Sequence, residues 1–128
     1  MLADAVVKKL REALETGAVE AIGITGSYAR GTETRYSDVD VYCLSDEPPK
    51  DVPGYNLRVI GEHLVSVTRT TFGAKRADFG EPDSAIWAVP GLRQMQIISD
   101  AAGKLAALKQ EAEDWRWTDV FQVKADDF

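Results

Sequence analysis

A glycine and a serine, Gly26-Ser27, stand ten residues ahead of two aspartates, Asp38 and Asp40, which are separated by Val39. A Gly-Ser pair between a strand and a helix offers backbone N–H groups and a hydroxyl at a helix start, where unpaired donors and the helix dipole favour a phosphate. Gly26 lets an anion approach the backbone. Asp38 and Asp40, two apart on a strand, are expected to project from one face ~6.6 Å apart. At an effective dielectric of ~20 their repulsion is ~2.5 kcal/mol, which a divalent cation between them turns into attraction. Two carboxylates aimed at one point beside a phosphate cradle suit metal-assisted phosphoryl or nucleotidyl transfer. Asp38 and Asp40 are therefore the candidate catalytic and metal-binding residues. Gly26 and Ser27 are the candidate nucleotide-binding residues, joined by Arg30, which can reach a phosphate or pair with an acidic neighbour. Tyr28 and Tyr36 flank the loop as candidate base or ribose neighbours.

The run Gly26-Ser27-Tyr28-Ala29-Arg30-Gly31, followed by Ser37-Asp38-Val39-Asp40-Val41, resembles the DNA polymerase β-like nucleotidyltransferase superfamily. Its wording is similar to the branch of minimal nucleotidyltransferases and of aminoglycoside or lincosamide nucleotidyltransferases. The likeness is strong over residues 19–44 and weaker onward to about 114. It implies an α/β (α+β) fold, a mixed sheet with helices packed mainly on one side. The implied reaction moves NMP from an NTP to an acceptor hydroxyl or phosphate, with Mg²⁺ on Asp38 and Asp40 and the β/γ-phosphates on Gly26 and Ser27. Members of the superfamily that turn over usually add a third carboxylate from a later strand. The corresponding position here falls between Val65 and Val67 and is Ser66, which is neither a strong ligand nor a base at neutral pH. Glu62 and His63 are the nearby substitutes, and Glu62 falls in a turn. Antibiotic-modifying relatives continue into a helical domain, whereas minimal members, including antitoxins of HEPN/MNT pairs, are about this short.

The elements that must position these residues follow from pattern. Val6, Leu10, Ala13 and Leu14 repeat at helical spacing after Asp4, a candidate N-cap, and before Gly17. Residues 19–25 and 39–44 are short, β-branched and apolar, so two strands flank the Gly-Ser loop. Residues 55–60 and 63–70 form a strand pair about Gly61-Glu62, with Leu57, Val59, Val65 and Val67 alternating with more polar neighbours. Residues 71–88 hold one or two short helices broken at Gly80 and Pro82, and Pro90-Gly91 is a turn. Residues 94–99 are a strand, and Asp100 caps a helix to about Asp114 with Ala101, Leu105, Leu108 and Ala112 in one stripe.

With 128 residues, 45% hydrophobic and 28% charged, the chain makes one domain, 1–128, standing alone or as the N-terminal domain of a longer protein. A net charge of −6 repels a nucleic-acid backbone, so no polynucleotide partner is expected. No apolar run reaches the ~18–20 residues of a membrane span, and MLADAVVKKL is no signal peptide, so no membrane is expected. One cysteine, Cys43, and one histidine, His63, leave metal chemistry to carboxylates and fit a reducing cytoplasm. The aromatic segment Trp115–Phe128 is apolar enough to pack on the core, on a second domain or in a homodimer. Two functions are expected from this reading. The first is a Mg²⁺-dependent nucleotidyltransferase acting on a small molecule or partner protein. The alternative is a catalytically degenerate, antitoxin-like nucleotide-binding or protein-interaction module.

Overall fold

The computed structural model describes residues 2–117. Its first element, α1 (Asp4–Leu14), buries Leu10 and Leu14 against Ile22 and Ile24 of β1 (Ala21–Thr25). Asp4 is the first helical residue and Ala3 occupies the cap, so the expected aspartate cap is displaced by one position. A short helix, α2 (Gly26–Arg30), follows β1 directly, and β2 (Val39–Ser45) runs back beside it. Next come β3 (Tyr55–Ile60) and β4 (His63–Thr71), joined at Gly61-Glu62 as expected, in a register that sets Ile60 opposite His63. Thr71 then caps α3 (Phe72–Ala77), its Oγ1 accepting from the Ala74 N–H at 3.0 Å. A 3-10 turn leads to α4 (Pro82–Gln94), β5 (Gln96–Asp100) and α5 (Lys104–Asp114).

The five strands form one mixed sheet in the order β3-β4-β2-β1-β5. Only β2 and β4 run parallel; the other three pairings are antiparallel. The mixed sheet and fold class are those expected, but the helices, expected mainly on one side, divide between its faces because the central strands carry apolar residues on both. On one face Ile22, Ile24, Val39, Val41, Val65 and Val67 meet α1 and Tyr28. On the other, Ala21 and Leu44 meet Leu92 of α4 and Leu105 and Leu108 of α5. Each fully buried Leu or Val contributes about 1.5–3 kcal/mol relative to exposure. Gly23 lies where the Met95 side chain crosses β1, and a Cβ there would come within 2.2 Å of the Met95 sulfur.

The expected turn at Pro90-Gly91 changes, and the exposure of β3 and the packing of Trp115, left open by the pattern, take definite form. Leu57 and Val59 are 55% and 74% exposed, since β3 is an edge strand whose outer face no helix covers. Pro90-Gly91 lies inside α4, where burial of Ala88, Val89 and Leu92 outweighs the roughly 3 kcal/mol that an interior proline costs. Trp115 is 8% exposed and packs with Ala85 and Val89, its indole N–H donating to the Phe79 carbonyl at 3.1 Å. It therefore serves this domain's own core, while residues 118–128 of the aromatic segment lie outside the described residues.

The last helix begins at Lys104 with Gly103 at its cap position, so Ala101, expected in its apolar stripe, lies outside it and exposed, while the Asp100 carboxylate still reaches the helix start, accepting from the N–H groups of Leu105 at 3.0 Å and Ala106 at 2.8 Å. At the other end Arg93 donates to the carbonyls of Ala112 and Trp115, both at 2.7 Å. No helix among the described residues is long and apolar enough to cross a membrane.

Candidate functional site

The site forms where β1 ends, α2 begins and β2 enters the sheet. Thr25 pairs with Asp40, so Gly26 and the Asp40 side chain meet at the sheet's end. Gly26 has φ +73°, a conformation costly for other residues, and a Cβ on it would lie 2.3 Å from Asp40 Oδ2. Only glycine leaves room for that carboxylate against the loop. The other Asp40 oxygen, Oδ1, accepts from Ser66 Oγ at 2.7 Å. This contact follows from the parallel register, which sets Asp40 beside Ser66 while Val39, Val41, Val65 and Val67 turn into the core on the opposite face. The Asp40 carboxylate is thus fixed at one oxygen by a donor and bounded at the other by bare backbone.

The remaining sequence candidates distribute unevenly. Ser27 is the second residue of α2 and half-buried, and its carbonyl closes the short helix by accepting from the Gly31 and Thr32 N–H groups. Asp38 is exposed and directly precedes β2, which starts at Val39. Arg30 is exposed at the end of α2 and makes no ion pair among the described residues. Tyr28 points into the core at 9% exposure, edge-on to His63 with ring centroids 5.9 Å apart, which removes it as a base or ribose neighbour and gives His63 a packing role. Tyr36 is 78% exposed, with the Arg35 guanidinium over its ring. Glu62 sits in the exposed hairpin turn. Among the described residues no three His, Cys, Asp or Glu side chains converge as a metal cluster.

A cavity of about 420 Å³ opens beside Gly26, between Thr25 and Tyr42 on the sheet and Lys75, Asp83 and Trp87 on α3 and α4. The Lys75 ammonium stands 4.3 Å from the Tyr42 ring centroid, and Trp87 is 79% exposed at the cavity. Reading the sequence misses Lys75 and Trp87, because the pattern of residues 71–88 is weak; a tryptophan on the polar side of a helix is the signal that points to them. Cys43 is buried in the core, and that burial pushes its thiol from 9.0 up to about 11, so it is a packing residue.

The family model described as Nucleotidyltransferase domain matches residues 7–90, and the chain belongs to that family. A nucleotidyltransferase-like protein from Exiguobacterium sibiricum 255-15 superposes on 88% of this chain with a TM-score of 0.58 and 15% identity. The chain spans 40% of that protein. A toxin-antitoxin structure with AMP-PNP superposes on 88% of this chain and covers 86% of its own, with a TM-score of 0.55 and 15% identity. At such identity the likeness is one of fold. No curated protein matches the chain.

Proposed function

We propose that the chain binds an NTP with Mg²⁺ beside Gly26 and Asp40 and transfers NMP to an acceptor hydroxyl of a small molecule or a partner protein. The observation that carries this reading is the Asp40 carboxylate, held by Ser66 at 2.7 Å and seated against a glycine that no other residue can replace without displacing it. In a nucleotidyltransferase domain that is where charge on a triphosphate would be managed. The donor set suits Mg²⁺, which binds through one or two carboxylates and completes its oxygen shell with substrate phosphates and water. Asp40 and Asp38 would hold it. When bound, the ion supplies charge neutralisation on the phosphoryl oxygens.

In the transfer the acceptor hydroxyl gives its proton to solvent water, its oxygen bonds to the α-phosphorus, the bond from that phosphorus to the bridging oxygen breaks, and pyrophosphate leaves. Ser66 donates to Asp40 and keeps that carboxylate aimed. Gly26 and Ser27 would offer backbone N–H groups to the β/γ-phosphates, and Arg30, exposed and free of ion pairs among the described residues, would reach them from solvent. The cavity lined by Lys75, Tyr42 and Trp87 is large enough for a base or an acceptor ring.

A second reading is favoured by Ser66 itself. With a hydroxyl where active relatives place a carboxylate, the domain would bind the nucleotide and turn over weakly or not at all, as an antitoxin-like partner of another protein. The neighbouring toxin-antitoxin structure with AMP-PNP supports both nucleotide binding and a protein partner. Incubation with each labelled NTP, Mg²⁺ and a panel of small-molecule and protein acceptors separates the readings. Label transferred to an acceptor supports the enzyme; retention of bound NTP without transfer supports the binding module; neither binding nor transfer contradicts both.

A further inference from the structure

The outer strand β3 carries a single charge, Arg58, and otherwise lacks the devices that keep an edge from pairing. Its sequence, Tyr-Asn-Leu-Arg-Val-Ile, has no proline and no lysine, and its ladder with β4 has no bulge. Tyr55, Leu57 and Val59 are 59%, 55% and 74% exposed and lie on one face, with Leu64 directly opposite Val59 extending the apolar stripe. The ladder also fixes which backbone groups are free. The Arg69 N–H donates to the Gly54 carbonyl at 2.7 Å, so Gly54, Asn56, Arg58 and Ile60 bond toward β4. The N–H and C=O groups of Tyr55, Leu57 and Val59 therefore point out of the sheet.

We propose that β3 pairs antiparallel with β3 of a second copy of this chain, about a two-fold axis at Leu57. In this register Leu57 faces its counterpart Leu57, and Tyr55 of each copy faces Val59 of the other. All the outward N–H and C=O groups of these residues are paired, giving six backbone hydrogen bonds in an isologous interface. On the opposite face each Arg58 stands across from an Asn56, so no like charges meet. The neighbouring registers are poorer. Centring on Arg58 sets two guanidinium groups against each other. Centring on Asn56 sets Val59 against Pro53, which has no N–H to give. A register centred between residues would set outward groups against inward ones and form no ladder. The product is a ten-stranded sheet with both Asp40 carboxylates on one face, five strand spacings or about 24 Å apart. This inference is independent of nucleotidyl transfer and assigns the interface to β3, away from the Trp115 segment.

Sedimentation equilibrium of the chain over a micromolar range tests it. The wild type is expected to associate to a dimer. Leu57→Lys, which places two ammonium groups at the two-fold axis, is expected to be monomeric with an unchanged circular dichroism spectrum, since Leu57 is exposed and its backbone groups do not serve β4. In a second arm Leu57→Cys is oxidised. Its two Cα atoms would lie about 5.5 Å apart and form a disulfide, while those of Val59→Cys would be four residues, about 13 Å, out of register and would not. A wild type that stays monomeric overturns the proposal. So does a dimer in which Val59→Cys cross-links as readily as Leu57→Cys, and this arm decides the matter if Leu57→Lys does not fold.

Discussion

Replacing Ser66 by aspartate converts the hydroxyl that holds Asp40 into a second carboxylate, and the structure sets the size of the effect. Ser66 Oγ lies 2.7 Å from Asp40 Oδ1, so Ser66→Asp places two negative charges about 4 Å apart. Their repulsion is about 1 kcal/mol if fully water-screened and about 4 kcal/mol at an effective dielectric of 20. Both positions are half-buried, so the cost lies between these limits. For a chain of this size each kcal/mol moves the melting temperature by about 3–5 °C, so the metal-free variant should melt several degrees, and at most about 20 °C, below wild type. Millimolar Mg²⁺ should recover most of that loss in the variant and raise the wild type much less. The penalty should also fade as pH falls, because the crowded pair takes up a shared proton above the ordinary carboxylate range. Differential scanning calorimetry at graded Mg²⁺ and pH reads all three. With NTP and acceptor, transfer should rise at least ~10-fold, since general-base assistance is typically worth ~10²–10⁴-fold. A Ser66→Asp protein that melts with wild type, ignores Mg²⁺ and gains no turnover would refute the convergence of these side chains on a metal.

Gly26→Ala should cost about 1–2 kcal/mol from its left-handed backbone alone and should also push the Asp40 carboxylate aside, so NTP affinity measured by calorimetry should fall more than stability does. Burial raises the Cys43 thiol pKa to about 11, so the stability it contributes is intact below about 9 and is lost as pH rises to 11. Cys43→Val should melt with a flatter dependence over that window, and native Cys43 should resist thiol reagents until the chain unfolds. Trp115→Ala should destabilise by about 3–5 kcal/mol in urea unfolding. Acrylamide should quench Trp87 and Trp117 fluorescence well ahead of Trp115.

What could be read from the sequence was local. The short β-branched runs on either side of Gly26-Ser27 announce a strand-loop-strand, and Gly61-Glu62 announces the β3–β4 hairpin, whereas the parallel β2–β4 pairing that brings Ser66 beside Asp40 joins strands distant in sequence and is not encoded locally. Asp100 was legible as a cap because its reach to the next helix spans only a few residues. Alternation tells which residues share a face but not which face is covered, so it does not separate Leu57 and Val59, exposed at an edge, from Val65 and Val67, buried in the core. Tyr28 belongs to the glycine loop by sequence and to the core by helix rotation, one residue after Ser27. Lys75, Trp87 and the cavity depend on how α3 and α4 pack over the sheet, a tertiary arrangement that the weak pattern of residues 71–88 does not encode locally. Pro90 marks a turn by propensity and is overridden by the apolar face of α4.

The central claim is that Asp40, seated against Gly26, gathers Mg²⁺ and an NTP together. Isothermal titration of wild type and Asp40→Asn with each of the four NTPs, with and without Mg²⁺, tests it most directly. Asparagine keeps the shape and the acceptor oxygen for Ser66 but removes the charge. The account predicts at least one NTP whose affinity rises with Mg²⁺ in wild type and does not rise in Asp40→Asn. Equal Mg²⁺ dependence in the two proteins, or no NTP binding by the wild type, would contradict it.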